Sequence, residues 1–236
     1  MVFPATRLSV VERTRSGDEE TRRVAYAAII DAYWKPAYKH LRVKWSLDPD
    51  DAADLTQEFF TTTLEKDIVE RYDPARSRFR TYLRLCLDGF ASNARKAERR
   101  LKRGGGVTIV PLDFETAEGE IGRHEPVASA NADDEFYREW VRSLLQNSVA
   151  DLKRGAAESG RLAMFEVFTR YDLADDDERP TYAEIGRELG MTAATVTNHL
   201  AAMRRQFRAV VIERLRELSS SDEEFEAEAA KLLGKR

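Results

Sequence analysis

The chain has 236 residues, of which 42% are hydrophobic and 34% charged, and its formal net charge is −4. This composition is typical of a soluble globular protein with one large or two small domains, and no run of 18 apolar residues predicts a membrane span. The single cysteine, Cys86, excludes an internal disulfide framework, and the N-terminal sequence MVFPATRLSVVERTR lacks the apolar core of a signal peptide. We therefore expect a cytoplasmic protein, and any contact with nucleic acid would have to come from local charged patches.

The first third of the chain predicts an N-terminal extension and two helices. Residues 1–20 are expected to be frayed or loosely helical, and 22–43 to form one helix or two, depending on Pro36. Asp48 and Pro49 then begin a helix, as an N-cap acid followed by proline at the first helical position. An exposed stripe on this helix is spaced four, three and four residues apart: Asp54, Glu58, Thr61 and Glu65. It is either solvated surface or a docking face for a basic partner.

The segment 71–103 is densely basic and carries aromatic residues between the charges. Tyr72, Phe79 and Tyr82 are interleaved with arginines, a pattern that suits a nucleic-acid strand. Guanidinium groups hold phosphates, and aromatic faces stack on unpaired bases for about 1–3 kcal/mol each. The helix that begins near Phe79 has one apolar stripe and one cationic edge, and three glycines at 104–106 end it.

The remaining chain is acidic, then helical, then acidic again. Residues 107–134 predict an acidic linker with little regular structure. Residues 136–152 and 162–171 have helical apolar spacing. Residues 219–236 form a polar acidic tail, with a short helix around 225–233 to which the sequence assigns no role.

Between these helices and the tail, 181–208 predicts a helix-turn-helix motif. Thr181 and Glu184 form a capping box, Gly190 makes the turn, and Thr192 caps the second helix. The second helix is expected to enter the major groove, with small or hydrogen-bonding side chains at its N-terminal half and arginines after them.

In this order along the chain, the segments resemble the extracytoplasmic-function (ECF) group of bacterial sigma factors. The resemblance covers roughly 26–218, and its most specific piece is DLTQEFF followed by the F-R-x-Y-L helix. It implies an all-α fold of two small helical domains: a sigma region 2-like helical bundle at 21–106 and a region 4-like helix-turn-helix domain at 135–218, joined by the acidic linker.

The resemblance also implies a role for individual residues. The segment that matches the docking site for the β′ clamp helices of RNA polymerase contains Asp51, Asp54, Gln57, Glu58 and Phe59. The segment that captures an unstacked base of the promoter −10 element and holds the strand beside it contains Arg76, Arg78, Phe79, Arg80, Tyr82, Arg84, Asp88, Ser92, Asn93, Lys96, Arg99 and Arg100. The −35 recognition helix contains Ala194, Thr195, Thr197, Asn198, His199, Arg204 and Arg205.

The implied partners are core RNA polymerase, through its β′ clamp helices and β flap, and promoter DNA. The acidic linker resembles one that threads the polymerase cleft, where negative charge mimics RNA. An anti-sigma factor is a typical regulator, and some members with a DLTQ-type motif are tied to Ser/Thr kinases. Thr56 and 61–63 are then candidate phosphorylation sites, because phosphate changes the charge of the docking helix. Family members often have basic residues where Thr197 and His199 stand, so the −35 contacts are expected to differ.

Two other classes of function remain open. One is a two-domain repressor or activator that binds duplex DNA without polymerase. The other is a nuclease that holds metal with Asp50, Asp51, Asp54 and Glu58, although these acids also suit a helix N-terminus. The sequence has no Ser-His-Asp or metal-ligand spacing, so we expect neither catalytic activity nor a cofactor.

Overall fold

The computed structural model describes residues 9–98, 112–123 and 132–234. Over these ranges the chain is α-helical with two short 3-10 turns and no β-strand, which confirms the all-α fold class. The helices are α1 (Val10–Arg13), α2 (Glu19–Lys44), α3 (Pro49–Glu65), α4 (Phe79–Glu98), α5 (Phe114–Arg123), α6 (Ala132–Glu158), α7 (Leu162–Asp172), α8 (Tyr182–Leu189), α9 (Ala193–Leu218) and α10 (Asp222–Leu233). No helix in the described ranges is long and apolar enough to cross a membrane.

Helix α2 is a single helix that continues through Pro36. It begins after Asp18, whose carboxylate accepts a hydrogen bond from the Thr21 amide at 2.8 Å. Proline removes one backbone donor from the helix, but the Pro36 ring is buried together with Tyr33 and Tyr38. Packing therefore holds the turns on both sides of the proline, and the predicted region forms one helix rather than two.

Residues 9–14 are packed rather than frayed. The Ser9 hydroxyl caps helix α1 by accepting a backbone hydrogen bond, and Val10 and Val11 are buried. The prediction of a frayed or loosely helical extension over 1–20 is therefore wrong for this part of the chain, because the two adjacent valines are buried in the hydrophobic core.

The acidic linker predicted for 107–134 contains helix α5. Its first residue, Phe114, packs against the rings of Trp34 and Tyr38 on α2, with centroid distances of 5.6 and 5.0 Å. The expectation of little regular structure is wrong for 114–123. An aromatic anchor stabilises a helix that charge density alone disfavours.

The chain divides into two compact units. The first contains the residues up to Ser143 and those from Leu215 onward, and the second contains Leu144–Arg214. Both borders fall inside helices, α6 and α9, whereas the sequence placed the domain ends at 134/135 and 218/219. The identification of two sigma-like domains stays a prediction.

The core of the first unit is aromatic around the start of α4. The Phe79 ring meets the ring of Tyr33 edge-on at 5.6 Å and that of Tyr72 at 5.2 Å. Trp140 from α6 stacks on Tyr33 at 6.5 Å. These buried rings fix the turn before α4 and the first turn of that helix.

The second unit is built around α9, which contributes to two apolar clusters. One cluster contains Leu152, Ala156, Phe165, Phe168 and Met203. The other contains Val167, Ile185, Val196 and Leu200. Because two clusters hold the buried side of α9, its opposite side is presented on a rigid support.

The turn between α8 and α9 depends on two glycines. Gly190 ends α8 in the left-handed region at φ 66°, where glycine carries no steric penalty. Gly186 lies so close to the turn that an added Cβ would stand 2.6 Å from the carbonyl oxygen of Met191. The predicted capping box is present, with the Thr181 side chain accepting from the Glu184 amide.

We expect Gly186→Ala to lower the free energy of unfolding by about 1–3 kcal/mol, because the new methyl group must displace backbone. The matched control is Gly155→Ala in α6, where nothing lies within 4 Å of an added Cβ. That change is expected to raise stability by about 0.5–1 kcal/mol. Urea unfolding followed by circular dichroism measures both. A neutral Gly186→Ala variant would contradict the close approach of the turn.

Candidate nucleic-acid interface

The acidic face of α3 is accessible, but its aromatic member is not. Asp51, Asp54 and Glu58 are exposed, and Gln57 is half-buried. Phe59 is 0% exposed and packs in the core against Phe60 and Phe90. The carboxylates therefore lie at the surface, whereas Phe59 positions the helix from beneath and does not reach the surface.

The threonines of α3 differ in accessibility. The hydroxyls of Thr56 and Thr63 are buried and donate to the carbonyl oxygens of Ala52 and Phe59, each at 2.7 Å. Residues 61 and 62 are half-buried. A kinase that acts on this folded helix therefore has access to Thr61 and Thr62 but not to Thr56 and Thr63.

The aromatic turn before α4 is mostly buried. Tyr72 and Phe79 are 3% and 1% exposed, so they belong to the core described above. Tyr82 is half-buried, lies 5.4 Å from the Tyr72 ring, and donates its hydroxyl proton to the carbonyl of Ile68 at 2.7 Å. Burial raises the pKa of Tyr82 to about 12. Of the predicted base-stacking residues, Tyr82 remains partly accessible, and Phe79 does not.

The arginines around this turn differ in how they are paired. Arg76 is exposed and forms a weak pair with Asp73 at 3.5 Å. Arg78 and Arg80 both bind the carboxylate of Glu228 in α10, Arg80 at 2.7 Å. The acidic tail, to which the sequence assigned no role, thus lies on two of the predicted DNA-binding arginines.

The next predicted residues on α4 belong to a charge network in which Arg84 and His40 are buried, Asp88 is half-buried and Lys44 is exposed. The Asp88 carboxylate receives hydrogen bonds from His40 and Trp45 at 2.8 Å, Lys44 at 2.9 Å and Arg84 at 2.6 Å. Burial opposes ionisation of Asp88, but the bonds from Lys44, His40 and Trp45 outweigh it and lower its pKa to about 2. Burial also lowers the pKa of His40, against the pull of Asp88.

Arg84 is itself 7% exposed and binds Asp133 as well as Asp88. Asp88 and Arg84 therefore join α2, α4 and α6 and do not form a free cationic edge. That edge consists instead of residues further along α4: Asn93 and Lys96 are exposed, and Ser92 is half-buried. The predicted Arg99 and Arg100 lie outside the described residues.

In the second unit, the predicted recognition residues lie at the start of α9. Ala194, Thr197 and Asn198 are exposed, and Thr195 is half-buried with its amide bonded to the Thr192 hydroxyl at 3.1 Å. His199 is half-buried, and its Nδ1 atom is buried without a hydrogen-bond partner in the described structure. A face of small and hydrogen-bonding side chains is therefore open to a ligand, with the histidine at its edge.

The two arginines that follow are not equivalent. Arg204 binds the Asp172 carboxylate through Nε at 2.9 Å and through Nη2 at 2.7 Å, and its guanidinium lies 5.7 Å from the Tyr171 ring centroid. Its pKa is raised, chiefly by the hydrogen bonds to Asp172. Arg205 is exposed. Arg205 is thus the better placed of the two for a phosphate.

Sequence reasoning missed the acidic residues that cover basic faces in the first unit. Glu228 lies on Arg78 and Arg80, and Glu120 on Lys35 and Lys39 at 3.0 and 2.6 Å. The acidic composition of linker and tail was visible in the sequence. Which basic surface each segment meets depends on tertiary folding and has no local signal.

Within the described residues, no three His, Cys, Asp or Glu side chains are grouped so that they could hold a metal ion. No family model, curated protein or solved structure matches this chain. The surfaces described above are therefore the basis on which a function can be argued.

We expect Asp88→Asn to lower the free energy of unfolding by about 2 kcal/mol at pH 5, because the depressed pKa measures the preference of the folded state for the carboxylate. The stability that this group contributes is present above its unfolded pKa and is lost as the pH falls from about 4 to about 2. The difference between wild type and variant should shrink over that window.

The matched control is Asp54→Asn, an exposed acid on α3 whose removal should change stability by less than about 0.5 kcal/mol. Chemical denaturation at pH 7, 5, 3 and 2 measures both variants. Equal stability of Asp88→Asn and wild type at pH 5 would mean that the network does not stabilise the fold.

Proposed function

We propose that the protein is an alternative bacterial sigma factor of the ECF type. It binds core RNA polymerase, recognises the −10 and −35 promoter elements, and promotes melting of the −10 element. The observation that carries the proposal is that each of the two units presents one surface suited to this role. The first unit has an exposed acidic helix face next to a basic-aromatic segment, and the second has an exposed helix start of groove-reading residue types.

Polymerase binding is assigned to the acidic face of α3. Asp51, Asp54 and Glu58 project from a helix fixed from below by Phe59 and Phe60. The resemblance gives this face a basic partner, the β′ clamp helices, and opposite charges speed and orient such encounters. Phosphorylation by a Ser/Thr kinase at 61 or 62 would add negative charge to the same helix and alter the docking.

Capture of the −10 strand is assigned to the segment from Arg76 to Lys96. Tyr82 is a half-buried aromatic residue, and Arg76, Asn93 and Lys96 are exposed donors. Melting requires a surface that holds one strand away from its complement, with cations for phosphates and an aromatic group for an unstacked base. Arg84 and Asp88 support this surface from within the fold.

Recognition of the −35 element is assigned to the start of α9. Asn198 has the donor and acceptor that pair with an adenine edge in the major groove, and Thr197 can bond a base or contact a thymine methyl group. Ala194 allows close approach, and Arg205 suits a phosphate. The β flap of polymerase would hold this unit, and an anti-sigma factor would act by covering either surface. A protein with this role works in the cytoplasm.

The polymerase assignment predicts that the double variant Asp54→Asn, Glu58→Gln binds core RNA polymerase about fivefold more weakly, since two exposed charge pairs contribute together about 1 kcal/mol. The loss should be larger at low salt because exposed charges are screened. Fluorescence-detected titration of core polymerase measures it.

The matched control removes the same two charges from the second unit, as Asp177→Asn with Glu178→Gln, both exposed. Equal affinities for the two double variants would contradict docking through α3. If wild type does not bind core polymerase at all, the sigma proposal fails, and a duplex-binding repressor or activator becomes the better explanation.

The −35 assignment predicts that Arg205→Ala weakens binding to duplex DNA and lowers the slope of log affinity against log salt by about 0.9, as expected for one lost phosphate contact. Lys153→Ala, an exposed cation on α6 in the same unit, is the control and should leave the slope unchanged. Titration of a labelled random-sequence duplex over a KCl series measures both. Equal slopes for the two variants would remove Arg205 from the interface.

A further inference from the structure

The C-terminal helix α10 is docked on the basic-aromatic segment through a buried carboxylate. Glu228 is 1% exposed, forms ion pairs with the guanidinium groups of Arg78 and Arg80, and accepts a hydrogen bond from the Tyr137 hydroxyl. The Arg80–Glu228 distance is 2.7 Å, and the Tyr137 bond is 3.0 Å. A carboxylate buried against two arginines is a specific contact, because an unpaired charge at that depth would be strongly unfavourable.

Further polar contacts hold the same helix. The Lys231 ammonium group lies 3.6 Å from the centroid of the Tyr137 ring, and the Ser220 hydroxyl lies 2.9 Å from the Tyr72 hydroxyl. Glu228 is the one residue of α10 that is fully buried in the described structure. Glu228 therefore anchors α10, whose apolar side chains Phe225, Leu232 and Leu233 are only half-buried. A segment with so little fully buried apolar surface can open without unfolding the core.

The site beneath α10 has the chemistry of a phosphate site on a nucleic-acid strand. Two arginine side chains converge on one anion, a geometry that suits carboxylate and phosphate alike. The Arg80 guanidinium also lies 4.6 Å from the Tyr137 ring centroid and 5.4 Å from that of Trp140, so the cation is oriented by aromatic faces. One carboxylate occupies the site, and a phosphate of the strand needs the same donors.

We propose that α10 is an intramolecular inhibitor of single-stranded DNA binding, in which Glu228 occupies the subsite formed by Arg78, Arg80 and Tyr137 for a backbone phosphate of the captured strand. This inference rests on the proposed function, since it takes the −10 strand as the competing ligand. The free protein is closed, and strand capture requires that α10 leaves the site. Apparent affinity for the strand is then reduced by the fraction of molecules that are open.

Neutralising Glu228 opens the site. We expect full-length Glu228→Gln to bind a fluorescein-labelled 12-nucleotide single-stranded DNA of random sequence roughly tenfold more tightly than wild type, measured by fluorescence anisotropy. The matched control is Glu226→Gln, an exposed carboxylate on the same helix with the same charge change. It should bind less than about twofold more tightly, since only the general electrostatic attraction has increased.

A second variant separates release of α10 from the gain of positive charge. Lys231→Ala removes a cation, so general electrostatics predicts weaker DNA binding. Loss of its contact with Tyr137 loosens α10, and we expect binding about twofold tighter than wild type. Circular dichroism melting curves establish that each variant is folded, and Lys231→Ala keeps the test decisive if Glu228→Gln does not fold.

The outcomes distinguish this inference from the function on which it rests. Equal DNA affinities for folded Glu228→Gln and Glu226→Gln, or weaker binding by Lys231→Ala, overturn inhibition by α10 even if all variants bind core polymerase. Tighter binding by Glu228→Gln and Lys231→Ala supports the inhibition. If those same proteins do not co-elute with core polymerase, the sigma proposal fails while the masking of a strand-binding site stands.

Discussion

Buried cations in the first unit require carboxylates from other parts of the chain, and this constraint organises that unit. Lys39 is 4% exposed on the long helix α2, and its ammonium group contacts Glu120 at 2.6 Å and Glu139 at 2.7 Å. An unpaired charge at this depth would destabilise the fold. Helices α5 and α6 must therefore lie against α2.

The same pairing explains how an acidic protein can carry a densely basic segment. Asp88 and Glu228 neutralise some of the arginines around α4, while Arg76 and Lys96 remain at the surface. The cations fall into two groups: those that hold helices together and those that are accessible to a ligand. In the proposed function, only the accessible cations can bind DNA before α10 is released. Release of α10 would then add Arg78 and Arg80 to this accessible group.

The sequence predicted local structure well and tertiary pairing poorly. Asp48 with Pro49 and Thr181 with Gly190 are local signals, and α3 begins, and α8 begins and ends, where they predict. Charge and aromatic spacing could not distinguish an exposed Arg76 from a buried Arg84, or a half-buried Tyr82 from a core Phe79, because burial depends on helices distant in sequence. For the same reason the docking of α5 and the target of Glu228 had no signal in the sequence.

The central claim is that this chain directs core RNA polymerase to promoters. Single-round transcription by core polymerase from a library of randomised duplex templates, with and without the protein, tests it most directly. We expect protein-dependent transcripts that start at discrete positions and whose templates share two separated upstream elements. Transcripts that are identical in number and start position with and without the protein would contradict the claim.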